Sequence, residues 1–255
     1  MAQDEFGWVD GGYATTLARA AEVLAGRGVD VRTGARVEQV RPAERGGVEV
    51  VVSGVAEQFD QVVVTAAAPV AARLCEGLDD DERRRLEGVT YQGIVCASLV
   101  LRRPITDDYL TYITDLDCPF TAVVSMSALT GTDALGGRHL VYLPKYVATD
   151  DPLLDATDEE VLAGFLPYLE RILPAFDPAD VVGSAVSRAR YVLAVTTLRY
   201  SDHVPPTRTS VPGLWLASSA NIVNGTLNVD ETVTLAESVA ERMLQVPVTE
   251  LVREP

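Results

Sequence analysis

The chain has 255 residues, with 37 acidic and 21 basic side chains and a formal charge of −16; 47% of it is hydrophobic and 23% charged. That balance belongs to a folded globular protein and excludes disorder, collagen and coiled coil as the dominant state. The shortage of Lys and Arg argues against nucleic acid and against anionic membrane surfaces as partners. Residues 12–27 read as a helix, with Leu17, Ala20, Ala21 and Leu24 on one face and Gly26 and Gly28 as a stop. Val29, Val31, the Thr33-Gly34 turn, Val37 and Val40 predict an alternating strand. After the turn at Glu44-Arg45-Gly46-Gly47 the alternation continues through Val48, Val50 and Val52 to a second turn at Gly54. Within 59–65, Val62-Val63-Val64 is a continuous apolar run of the kind found in buried parallel strands.

Residues 70–88 read as one helix, with the charged cluster from Asp79 to Arg85 on a solvated face. The stretch 91–102 is rich in β-formers, and 109–114, 119–128 and 139–146 are further strands of an antiparallel sheet. Thr157-Asp158-Glu159-Glu160 is a capping box opening a helix whose buried stripe is Val161, Leu162, Phe165, Leu166, Leu169, Ile172 and Leu173. Pro167 should kink that helix and Pro174 should end it. A strand over 181–195 follows. Residues 201–212, with Pro205, Pro206 and Pro212, are the most linker-like stretch. A short apolar strand over 213–217 precedes a last helix from about Val229 to Leu244, with Asn228 as N-cap and Glu231 three residues on.

Cys75, Cys96 and Cys118 are odd in number and lack metal spacing, so they read as reduced thiols filling the core of a cytosolic protein. His139 and His203 have no Cys or His companion nearby, and no metal site is expected. The start, Met1-Ala2-Gln3-Asp4-Glu5, is acidic where a signal peptide would be basic. No apolar run reaches the ~18 residues of a membrane span. A cytoplasmic location is therefore expected. There is no G-x-S-x-G, no phosphate loop, no His-Glu-x-x-His and no G-x-G-x-x-G.

Two segments carry a resemblance. The first, within residues 6–72, contains Phe6-Gly7-Trp8-Val9-Asp10-Gly11-Gly12-Tyr13, then Gly34-Ala35-Arg36-Val37, and closes on Val63-Val64-Thr65-Ala66-Ala67-Ala68-Pro69. The second is Pro212-Gly213-Leu214-Trp215-Leu216-Ala217-Ser218-Ser219-Ala220 followed by Asn228-Val229 and Ala236-Glu237. Together they resemble the flavin-dependent amine oxidase group, which includes protoporphyrinogen oxidases and phytoene desaturases. The resemblance implies a mixed α/β (α+β) fold. Residues 1–87 and 206–255 would form an incomplete, discontinuous FAD-binding Rossmann-like domain, and 88–205 an antiparallel-sheet substrate domain with helices. The group's opening strand, glycine-rich turn and helix, which hold the pyrophosphate, have no counterpart here. The chain thus looks like the C-terminal portion of such a protein.

By that resemblance the backbone of Val37 meets the adenine end of FAD, and Ala67 and Pro69 belong to the element that closes the first segment against it. Ser218 and Ser219 stand beside the pyrophosphate or ribityl chain, where relatives carry an acidic or glycine-containing pair. Asn228 and Val229 open the helix facing the flavin. A helix N-terminus presents free N–H groups and about half a positive charge, which stabilises the anionic reduced flavin. Asn228 capping a surface helix is the other reading. On the substrate side the candidates are Tyr142, Lys145 and Tyr191, for which strand packing is the alternative role; no catalytic residue stands out. The implied activity is hydride transfer from a C–N or C–C bond of a small molecule to flavin N5. FAD would be bound poorly or not at all without an N-terminal partner subunit, and a homo-oligomer is the other expected assembly. The strand at Val62–Thr65 would then lack neighbours and either expose apolar surface or recruit another chain. A rival expectation is a flavin-free binding or scaffold subunit, or a cofactor-independent isomerase or cyclase.

Overall fold

The computed structural model describes residues 8–245. In chain order it contains α1 (Gly12–Gly26), β1 (Val37–Pro42), β2 (Val48–Val52), β3 (Val55–Phe59), β4 (Val62–Val64), α2 (Ala68–Leu74) and α3 (Asp80–Glu87). There follow β5 (Tyr91–Leu101), β6 (Leu110–Tyr112), β7 (Ala122–Ser125), α4 (Met126–Thr130), β8 (His139–Ala148), α5 (Asp158–Ile172), β9 (Val181–Ala194), β10 (Leu214–Leu216) and α6 (Val229–Gln245). Two compact units divide the chain. One takes the residues before Gly34 and Ile94–Ala189; the other takes Gly34–Gly93 and the residues from Arg190 on.

In the first unit a five-stranded sheet runs in the order β6-β7-β8-β5-β9. Strand alternation decides what it buries. Along β5, Val95, Ala97, Leu99 and Leu101 are buried while Cys96, Ser98 and Val100 are half-buried. The buried row packs with Val123, Val141 and Leu143 and with Val161, Phe165 and Leu169 of α5. Phe120 completes the layer, its ring 5.6 Å from Phe165 and 5.9 Å from Tyr168. The capping box opens α5 as expected: Glu160 N–H donates to Thr157 Oγ1 at 3.2 Å and Thr157 N–H to Glu160 Oε2 at 2.8 Å. The helix does not break at Pro167. Residues 163 and 167 both lie on its exposed side, so the carbonyl left without a donor faces water. Leu173, before Pro174, is extended and ends it. Arg188 reaches Asp158 at 2.8 Å, while its buried Nε and Nη2 find no hydrogen-bond partner among the described residues.

The second unit holds an antiparallel sheet, β1-β2-β3, and a two-stranded parallel pair, β10-β4. The strand expected from Val29 begins only at Val37, and Val29 and Val31 are exposed. The single helix expected over 70–88 is two helices. Gly77, at φ 80°, turns the chain where a side chain would meet Pro42 and Val211 at 3.2 and 3.3 Å, and Asp79 caps α3. Nor is the charged cluster wholly solvated. Glu82 is buried and accepts hydrogen bonds from Asp79 N–H, Ser210 N–H and, at 2.6 Å, the Ser210 hydroxyl. The strand expected over 119–128 stops at Ser125 and gives way to α4.

The apolar face of α1 covers nothing: none of its residues is buried, and Tyr13, Leu17, Val23 and Leu24 are exposed. In α6 only Val239 is buried. Val64 of β4 is buried, but Val63 is 40% exposed. Because Glu82 ties the start of α3 to the segment at Ser210, Glu82→Ala should lower unfolding stability by about 1–3 kcal/mol, through the loss of its hydrogen bonds to Asp79 N–H and to Ser210. Urea denaturation of the variant beside the exposed-face control Glu87→Ala measures this.

Candidate functional site

In the second unit the chain converges on the carboxyl ends of β4 and β10. The strands run parallel with Val62, Val63 and Val64 opposite Leu214, Trp215 and Leu216. Val62 N–H donates to Gly213 O at 2.8 Å and Ala217 N–H to Val64 O at 3.1 Å, which fixes the register at both ends. Gly213 sits at φ 83°, with Asp60 O only 2.6 Å from where a Cβ would stand, so the entry to β10 admits glycine alone. The Trp215 indole N–H donates to Gln61 Oε1 at 2.9 Å.

Beyond these ends lie short side chains. Ala67 is the N-cap of α2 and Pro69 is in its first turn, where a missing N–H costs nothing. Ala68 N–H donates to the Tyr91 hydroxyl at 3.1 Å. On the β10 side, Ser218 Oγ accepts from Ala220 N–H at 3.3 Å, and Ser218 N–H donates to Asn221 Oδ1 at 2.9 Å. Asn221 Nδ2 in turn donates to Pro205 O at 2.9 Å. Ser218 is thus engaged in a capping box, whereas the half-buried Ser219 hydroxyl makes no hydrogen bond among the described residues.

The paired strands therefore bring Ala67 and Pro69 to the same end as Ser218 and Ser219. Val37 opens β1 in the other sheet of this unit and is exposed. Asn228 caps α6: Glu231 N–H donates to its Oδ1 at 2.8 Å, and Val229 is exposed in the first turn. Glu231 also lies against Gly225, with Oε1 in the space a Cβ there would take. Among the substrate-side candidates, Tyr191 packs on the buried core, edge-on to Tyr91 at 5.5 Å. In the first unit, alternation along β8 separates the other two. Lys145 shares the side of the buried Val141, Leu143 and Val147, while Tyr142 takes the opposite face opposite Val124 and close to Cys96. Burial pushes both the Tyr142 phenol and the Cys96 thiol up.

A tyrosine cluster under the strand ends, Tyr91, Tyr191 and Tyr200, is not evident from the sequence. The Tyr200 hydroxyl donates to Ala220 O at 2.8 Å, and burial, with Tyr91 as a lesser influence, pushes its pKa up to about 12. Cys75, in the same core, is pushed up to about 11 by burial. No group of three or more His, Cys, Asp or Glu that could hold a metal occurs among the described residues. No described helix is long and apolar enough to cross a membrane.

In open α/β sheets the carboxyl ends of parallel strands are where ligands are received. The chain belongs to the flavin containing amine oxidoreductase family, whose model matches residues 2–244. Its fold is similar to that of an Exiguobacterium structure described as a protoporphyrinogen oxidase, at TM-score 0.77 and 17% identity over 92% of this chain and 51% of that one. It is similar to a putrescine oxidase variant, at TM-score 0.69 and 17% identity over 92% and 53% of the two chains. A reduced UDP-galactopyranose mutase also matches, at TM-score 0.72 and 13% identity over 98% and 57%. The chain spans about half the length of these structures. No curated protein matches it.

Folded Tyr200 and Cys75 both hold their protons more tightly than ordinary groups at 10.0 and 9.0. Their contribution to stability is full below those values and is lost as pH rises through about 11 for Cys75 and about 12 for Tyr200. Thermal melts from neutral to strongly alkaline pH should show that decline. Tyr200→Phe should remove its upper part at a cost of about 1 kcal/mol near neutrality, and Cys75→Ala its lower part.

Proposed function

We propose that this chain supplies the substrate side and the flavin-facing side of an FAD-dependent oxidoreductase acting on a small molecule. The observation that carries this is the pair of parallel strands whose carboxyl ends bring Ala67 and the unpartnered Ser219 hydroxyl together within a chain of the flavin family. The residues fit the flavin and ribityl end of the cofactor. They do not supply a glycine-rich pyrophosphate turn, and the proposal assigns that role to a further polypeptide, either a preceding segment or a separate subunit. When bound, FAD would accept a hydride from a C–N or C–C bond of the substrate.

In this reading the Ser219 hydroxyl would donate a hydrogen bond to the cofactor's ribityl or carbonyl oxygens. Ala66 and Ala67 let the cofactor approach the backbone closely. The Asn228 cap leaves the first N–H groups of α6, those of Val229 and Asp230, to face negative charge. Tyr142, on the face of the sheet away from α5, presents an aromatic, partly dry surface to the substrate. The apolar faces of α1, α6 and β4 are where the further polypeptide packs. Residues 1–87 with 206–255 would serve the cofactor and 88–205 the substrate, in a cytoplasmic protein. The mutase likeness favours a second reading, a cofactor-dependent or cofactor-independent isomerase on the same scaffold.

Absorbance near ~450 nm after gel filtration tests the proposal. The chain mixed with FAD alone should elute colourless, and yellow when the companion polypeptide is added. Ser219→Ala should weaken flavin retention about five- to tenfold, the worth of one hydrogen bond. A mixture that stays colourless, with both components folded, overturns the proposal.

A further inference from the structure

Within the second unit, α3 and the loop after β9 line a cleft of about 360 Å³. Its lining includes Arg84, Arg85, Thr90, Thr197 and His203, with Asp81 as the one carboxylate among the described lining residues. Asp81 is already engaged. Its Oδ2 accepts from Arg85 Nε at 2.6 Å, and its Oδ1 lies 3.3 Å from Arg84 Nη1. The hydrogen bond from Arg85, with the charges of both arginines, holds its carboxyl below the usual range, so it stays ionised and cancels one of the two guanidinium charges. Arg85 is fixed further by donating Nη1 to Asp202 O at 2.9 Å. Arg84 has only the single longer contact and keeps most of its donors, with a side chain 72% exposed. The side chains of Thr90, Thr197 and His203 make no hydrogen bond among the described residues.

The wall opposite α3 is held in a costly conformation. Arg199 adopts φ 58°, the left-handed region, in a residue that is not glycine. Its guanidinium is tied to Asp202 at 2.8 Å, and the next residue, Tyr200, is buried with its hydroxyl on Ala220 O. These bonds fix the loop that sets Thr197 and His203 across from the arginines. Backbone strain held in this way is typical of places where a ligand is received.

We propose that this cleft binds the phosphate group of a small phosphorylated molecule. A phosphate offers acceptor oxygens in several directions, and the walls offer guanidinium, hydroxyl and imidazole donors around one cavity. The lining carries a net positive charge in a chain of net charge −16, so the attraction is local. The inference does not depend on the flavin reading and fails or stands separately from it.

Calorimetric titration of the full 255-residue chain with inorganic phosphate, glycerol 3-phosphate and malonate, at matched ionic strength, tests it. Either phosphate should bind saturably at one site with Kd below ~1 mM. A tighter phosphomonoester would mark an esterified ligand, and equal affinity free phosphate. Arg84→Gln and His203→Gln should each weaken binding about tenfold or more, the loss expected of a charge-assisted hydrogen bond, with unchanged circular dichroism. Arg84→Lys should recover part of the affinity. Absence of saturation up to ~20 mM phosphate, equal affinity in both Gln variants, or malonate binding as tightly as phosphate overturns the proposal.

Discussion

Parallel strands cannot be joined by a tight turn, so the pairing of Val62–Val64 with Leu214–Leu216 obliges everything between them to act as one long crossover. That single pairing decides which segments share one end of the pair. It sets the start of α2 and the turn at Ser218–Asn221 at a common end, and it requires a backbone at residue 213 with no side chain beside Asp60 O. The core of the second unit supports it from beneath, where Val40, Val48, Ala71, Ala72 and Leu214 are buried together. A slip of one residue would exchange the buried Val64 for the exposed Val63 and put Ser218 out of step with Ala67.

The features legible in the sequence are those set by near neighbours. The capping box at Thr157 and the alternation of β5 and β8 depend on residues within one turn or one strand. The break between α2 and α3 has a local signal, the Asp79–Glu82 capping box, which the run of charges masked, and distant supports as well. Gly77 turns against Pro42 and Val211, and Glu82 finds its partners at Ser210. The separation of Tyr142 from Lys145 by the sheet was present in the pattern, since Val141, Leu143 and Val147 mark one parity of β8. The tyrosine cluster was not, because Tyr91, Tyr191 and Tyr200 meet only once β5, β9 and the loop beyond have folded. Ser218 and Ser219 look equivalent as letters. A partner three residues on engages the first and leaves the second free.

Covering about half the length of its structural relatives, the chain keeps well-packed interiors in both units. Exposed apolar side chains occur on α1, α6 and the outer side of β4, and also on β3, β6 and the loops at Leu116 and Leu198. Scattered apolar residues need no explanation, but rows on consecutive helix turns do.

α1 shows what such a row means for the chain itself. Fifteen residues of helix with no buried side chain have their own backbone bonds, propensity and the exposed Arg19–Glu22 pair to hold them, which leaves an isolated segment of this length marginal in water. A surface that received Tyr13, Leu17 and Leu24 would also have to supply the ordering free energy of the segment. Association would couple folding to binding, trading part of its intrinsic affinity for selectivity toward a partner that matches this stripe.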